Sequence, residues 1–197
     1  MLDRIINIDK ELLLFFNGMH NSFADIMMYW ISDKFIWIPF YVFLLYKIIR
    51  IYKLRTIDVI IGIAILITAS DQISVHCFKD VFQRLRPCQD PSMQGLVHLV
   101  NGECGGLYSF VSSHAANTFA LAFFLISVLG KKIRWITSVM IIWATVVSFS
   151  RVYLGVHYPF DVLCGAILGM IIGLLIGKIF NWYFRKFVLK ETRINAD

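Results

Sequence analysis

From Pro159 to about Phe184 the chain is almost continuously apolar and, as a helix, long enough to cross a bilayer. Gly165, Gly169, Gly173 and Gly177 fall inside it, one glycine every four residues. On a helix they line one face as a smooth strip that lets a second helix approach closely. That second helix belongs either to the same bundle or to another copy of the chain. The remainder of the sequence has the same character: 58% of its 197 residues are hydrophobic, only 16% are charged, and the mean hydropathy is +0.70. A soluble domain would be near half apolar with about a quarter of its residues charged. The expectation is therefore an all-α integral membrane bundle, a single domain over residues 1–197.

The net charge of +6 and pI near 9.2 would also suit a nucleic-acid binder. Most of the basic residues flank apolar runs, however, which is the pattern of positive-inside orientation, so membrane lipids and not nucleic acid are the expected surroundings. Residues 2–16 place Leu2, Ile5, Ile8, Leu12 and Phe15 or Phe16 at helical spacing, with Arg4, Asn7, Lys10 and Glu11 largely elsewhere. This predicts an amphipathic helix lying in the interface. The charges at Asp3, Arg4, Asp9, Lys10 and Glu11 argue against both a span and a secretory signal. Residues 22–33 read as a second short surface helix, so residues 1–33 form an interfacial segment.

Five spans are expected. The first is Phe35–Ile49, with Trp37 and Tyr41 as interface aromatics, and the second is Ile57–Phe78, which carries Asp58, Asp71 and His76. A polar loop, 79–111, follows, and loops of that length are usually functional. The third and fourth spans, roughly 113–129 and 135–150, are separated by Gly130-Lys131-Lys132-Ile133-Arg134, and the fifth is Pro159–Phe184. With Lys47–Arg55 on the cytoplasmic side, parity places Lys79–Arg86, Ser112–His114 and Arg151–Asp161 together on the opposite face. Arg185, Lys186, Lys190 and Arg193 return to the cytoplasm, so twelve of the nineteen Lys and Arg residues lie on that side.

The external face gathers reactive groups. Pro159 suits the first turn of a helix, placing Asp161 near its start and four residues after His157. A carboxylate there can hold one imidazole nitrogen and leave the other free as base or nucleophile. Arg151 offers a planar fork of donors to an oxyanion. Asp71 and His76 read as partners in helix–helix hydrogen bonds, although with Asp58 they could also mark the path of a transporter or proton relay. Cys77 and Cys164 read as small buried apolar residues. Cys88 and Cys104 share the polar loop and could pair in an oxidising compartment. No CxxC or His-rich spacing points to zinc, and His20 and His98 belong to no motif.

Lys79, six residues and then Arg86-Pro87; Ser112-Ser113-His114; and Ser150-Arg151, five residues, His157, three residues, Asp161 follow one another in order. The set resembles the type 2 phosphatidic acid phosphatase superfamily, membrane phosphatases whose site plan is shared with vanadium haloperoxidases and bacterial acid phosphatases. The likeness covers roughly residues 57–184, the motif-bearing core. The first and third motifs match fully. The second departs, with Val111 and Ser113 where the family usually has proline and glycine. The resemblance implies hydrolysis of a lipid phosphate or diphosphate at the outer face of a bacterial cytoplasmic membrane. His157 would be the nucleophile forming a phosphohistidine, Asp161 would orient it, and His114 would act as general acid and then base. Lys79, Arg86, Arg151, the Ser112 hydroxyl and the Ser113 N–H would bind phosphate, with no metal or other cofactor. Undecaprenyl diphosphate is the first substrate indicated, with lipid A phosphate and phosphatidylglycerophosphate as alternatives; the protein would be a monomer or homodimer.

Overall fold

The computed structural model describes residues 2–188, so Lys190 and Arg193 of the basic flank lie outside the described residues. Among these residues regular structure is helical, apart from one isolated antiparallel bridge between Leu85 and Tyr108. The helices are α1 (Leu2–Asn17), α2 (Ser22–Ser32), α3 (Ile38–Tyr52), α4 (Thr56–Gln72), a one-turn α5 (Asp80–Phe82), α6 (Ser113–Leu129), α7 (Ile136–Tyr153) and α8 (Pro159–Tyr183). A π-helical stretch, Ile73–Lys79, carries α4 into α5. Two helices, Ile136–Tyr153 and Pro159–Phe187, are long and apolar enough to cross a bilayer, and α6 is a shorter apolar helix.

Helix α6 occupies the centre, packed against α4, α7 and α8. Its Phe124 and Leu125 join Leu66 of α4, Met140 and Trp143 of α7 and Phe180 of α8 in the main core. The outer surface stays apolar: Phe43 on α3, Ile61 and Ile65 on α4, and Ile167, Ile171 and Leu175 on α8 are all exposed. An apolar belt of that extent suits hydrocarbon and not water. Cys77 is exposed on that outer surface and is not the buried residue expected, while Cys164 is half-buried. Trp37 and Tyr41 are packed against Trp143, with centroids 6.1 Å away in each case, and do not stand free as interface anchors.

The glycine strip of α8 is used inside the bundle. Gly165 lies against Ser112 and Ala115, Gly169 against Ala116, Gly173 against Ala120, and Gly177 against Ser127. The order of these contacts makes α6 and α8 parallel, so both begin at the same face. A Cβ at Gly169 would lie 2.1 Å from the Ala116 carbonyl oxygen, closer than packed atoms tolerate. Glycine therefore sets how near the two helix starts come: Ser112 N donates to Asp161 O at 3.0 Å.

Helix α1 differs from a simple interfacial helix. Its apolar residues Ile5, Ile8, Leu12 and Phe15 face outward, and the side turned to the protein holds Asp9, Leu13 and Asn17, each fully buried. Helix α2 lies on α7, with Ala24 and Met28 against Tyr153, Leu154 and Val156, and exposes Phe23, Ile26 and Trp30. At the far end of the bundle Lys132 Nζ sits 3.9 Å from the Tyr52 ring, and Lys131, Lys132 and Arg185 border one cavity. The basic flanks thus meet at the end opposite the helix starts.

Candidate active site

Three local devices assemble the motif residues. The first is a short antiparallel ladder in the long loop: Arg86 N donates to Leu107 O at 3.1 Å, and Ser109 N to Arg84 O at 2.8 Å. It presents Arg84, Arg86 and Ser109 together. Arg86 Nη1 donates to the carbonyls of Cys104 (3.3 Å) and Val156 (3.4 Å). Cys88 and Cys104 are joined in a disulfide that closes the same loop. The second is the end of α7. Gly155, at φ +71°, supplies the left-handed residue that stops the helix, and a Cβ there would meet a Val97 methyl at 2.4 Å. The chain then folds back, with Val156 N and His157 N donating to Arg151 O. The third is the pair of helix starts. Ser112 caps α6, accepting from Ala115 N at 3.4 Å, with its own O–H left to donate. Pro159 opens α8, and Asp161 Oδ2 accepts from Tyr158 N at 2.9 Å.

Lys79, Arg86, Arg151, His114, His157 and Asp161 come within electrostatic reach of one another. Arg86 Nε, Arg151 Nε and Ser113 Oγ are buried with no hydrogen-bond partner among the described residues. Cationic donors with unused N–H groups beside the start of a helix are an arrangement suited to an anion. A cavity of about 360 Å³ opens there, bordered by His114, Arg151, Gly105, Glu103, Lys34 and Phe35. Ser113 has an ordinary helical backbone, so this turn does not require the glycine usual in the family. Val111, replacing proline, is fully buried.

His157 is 1% exposed, enclosed where the α7–α8 turn tucks beneath the long loop. Burial pushes its pKa down to about 4, which keeps the ring neutral at physiological pH. Asp161 does not hold that ring directly, since His157 Nδ1 and Asp161 Oδ2 are 3.8 Å apart. Ser109 fills the gap: its Oγ donates to Asp161 Oδ2 and lies 3.4 Å from His157 Nδ1. With the hydroxyl proton committed to the carboxylate, the oxygen can accept from Nδ1–H, which leaves Nε2 as the unprotonated nitrogen.

Sequence reasoning also missed a chain of groups behind Asp161. Arg84 Nη1 donates to Asp161 Oδ1 at 2.7 Å and Arg84 Nη2 to Asp9 Oδ2 at 2.8 Å. Asp9 Oδ1 in turn accepts from Phe160 N at 2.9 Å, tying α1 to the first turn of α8. Arg84 could have been noticed as an extra cation two residues before Arg86; Ser109 and Asp9 carry no local signal. Ser32 at the end of α2 accepts from Arg151 Nη1. His76, by contrast, bonds along its own helix to Gln72 (3.1 Å) and Asp80 (2.9 Å) on an exposed face, not to another helix. Asp58 lies 4.0 Å from Arg55, and thirteen residues of helix, about 20 Å, separate it from Asp71.

Residues 59–185 match the family model of the PAP2 superfamily. The chain is 40% identical over 171 residues to a lipid A 4'-phosphatase of Bacteroides thetaiotaomicron, covering 86% of this chain and 75% of that protein. It is 32% identical over 186 residues to a lipid A 4'-phosphatase of Porphyromonas gingivalis, covering 91% and 75%. Likeness to an undecaprenyl-diphosphatase of Sulfolobus acidocaldarius, at 44% identity, is confined to 64 residues, 32% of this chain and 29% of that one. The fold is that of the transmembrane PAP2-type phosphatidylglycerolphosphate phosphatase of Bacillus subtilis, with TM-score 0.69 and 22% identity, covering 93% of this chain and 89% of that one. With the motif residues brought together at one end of the bundle and the family model matching more than half of the chain, this chain is a membrane phosphatase of the PAP2 superfamily.

Proposed function

We propose that the protein removes a phosphate monoester from lipid A, from the extracytoplasmic side of a bacterial cytoplasmic membrane, through a phosphohistidine. The observation that carries the substrate is the length of the likeness: it runs over most of the chain for two lipid A 4'-phosphatases and over a third of it for an undecaprenyl-diphosphatase. Lipid A phosphate therefore displaces undecaprenyl diphosphate as the leading reading. The location draws support from charge, because the basic flanks of α3, α6 and α8 meet at the end of the bundle opposite the site. Crossings by α3, α4, α6, α7 and α8 give that arrangement, with α1 and α2 lying at the interface.

The phosphate seats between Lys79, Arg86, Arg151 and the first N–H groups of α6, where its charge is spread over fixed donors. His157 Nε2 attacks phosphorus in line with the ester oxygen. The P–O bond breaks as the P–N bond forms, and His114, which takes up a proton as the negative phosphate enters among the cations around it, gives that proton to the leaving oxygen of the sugar. The ring acquires positive charge, which Asp161 balances through Ser109. His114, now neutral, takes a proton from water, the water oxygen attacks phosphorus, and inorganic phosphate leaves with Nε2 restored. To test this, purified protein in detergent is given lipid A, undecaprenyl diphosphate and phosphatidylglycerophosphate, and phosphate release is measured. Lipid A should be turned over fastest. Release from undecaprenyl diphosphate with none from lipid A would reject the substrate.

A further inference from the structure

Outside the phosphate site, His20 from the turn after α1, Asp25 from the first turn of α2 and His98 from the long loop bring their nitrogen and carboxylate oxygen atoms within 4.8 Å of one another. His98 Nε2 is 2.9 Å from Asp25 Oδ2. The imidazoles of His20 and His98 lie face to face, centroids 3.9 Å apart and planes inclined by 13°. We propose that these three side chains bind a late first-row divalent cation, zinc by preference, which staples the α1–α2 turn to the loop packed over the catalytic turn.

Two imidazoles and one carboxylate are a donor set suited to zinc, with water completing a tetrahedron. Ligand bonds of about 2.0–2.1 Å put neighbouring donor atoms about 3.3 Å apart. The His98–Asp25 separation is already close to that, so a cation would take the place of the proton they share. The in-plane lone pairs of stacked rings run side by side and do not meet on one ion, so the exposed His20 ring turns out of the stack to complete the site.

Supporting contacts hold the ligands in place, as outer groups do around bound metals. The Tyr153 hydroxyl donates to Asp25 Oδ1 at 2.8 Å, leaving Oδ2 toward the histidines. The buried Asn17 accepts from His98 N and donates to His98 O, both at 2.8 Å, and also donates to Tyr153 O at 2.7 Å. The backbone of His98 abuts Gly155, two residues before His157. The cation would fix the long loop against the end of α7 without touching the phosphate pocket, so no step of hydrolysis passes through it.

The full-length protein in detergent, stripped with chelator and then freed of it, is titrated with zinc chloride while thermal unfolding and bound metal are measured. The wild type should bind one zinc per chain and unfold about 5 °C higher at a hundredfold excess over the dissociation constant. Because His20 is exposed, His20→Asn should unfold within about 1 °C of the metal-free wild type and lose both the bound zinc and the shift. A wild type that shows no shift, or a His20→Asn protein that keeps it, overturns the proposal. The second result would place zinc elsewhere, for instance on the free thiols of Cys77 and Cys164.

Discussion

Ser109 stands between the carboxylate and the imidazole of the site, donating to Asp161 and lying 3.4 Å from His157 Nδ1. Ser109→Ala should lower kcat about tenfold to a hundredfold with little change in KM, because orientation of the nucleophile is lost while phosphate donors are kept. Phosphate-release kinetics would check it, and an unchanged kcat would remove Ser109 from the chain of groups. His157 makes a second prediction. The unfolded ring takes up its proton near pH 6.5, whereas the folded ring does so only near pH 4. Between those values the unfolded chain binds more protons, so stability rises with pH across the window and drains away as pH falls from 6.5 toward 4. Melting curves at pH 5 and pH 7.5 should show this loss in the wild type and a smaller one in His157→Gln. An equal loss in both would show that the ring is not held neutral by burial.

Between elements, the strip of small residues on α8 sets the distance between two helix starts. It lets α6 and α8 run parallel in close contact and so sets Ser112 beside Asp161. Gly169→Val would drive side-chain atoms into the Ala116 carbonyl, an overpacking that costs about 1–3 kcal/mol. The expected outcome is a melting temperature about 5 °C lower together with reduced kcat, read from unfolding and turnover on the same preparation. The glycine spacing was legible in the sequence, but its partner was not, since four-residue spacing serves equally well against a neighbouring helix or a second chain. Helix α1 was legible in a more limited way. Its apolar stripe was plain, yet the function of the opposite side depends on Asp9 reaching Arg84 and Phe160 N, residues 75 and 151 positions away. Burial raises the Asp9 carboxyl above its ordinary value despite those partners. Asp9→Asn should leave α1 helical by circular dichroism and lower kcat several-fold by loosening Arg84 against Asp161. Activity equal to wild type would confine Asp9 to packing.

For the molecule as a whole, the arrangement predicts sidedness. Gln94, in the long loop, and Lys131, between α6 and α7, are both exposed and lie on either side of α6. With Cys77 and Cys164 replaced and the Cys88–Cys104 pair kept, single cysteines at these positions should label from opposite faces of intact cells with an impermeant thiol reagent, Gln94→Cys from outside. Labelling of both from outside would overturn the five-crossing arrangement. The sequence alone determined the helical class, the order of the apolar segments and most of the motif residues that the fold brings together. Hydropathy, basic flanks and the spacings Lys-x6-Arg-Pro and His-x3-Asp are properties of neighbouring residues and survive without coordinates. Only the tertiary structure decided that His157 is enclosed, that Ser109 separates it from Asp161, that Arg84 and Asp9 brace the carboxylate, and that His20, Asp25 and His98 meet. Burial and hydrogen bonding join side chains that are distant along the chain, so no local pattern encodes them.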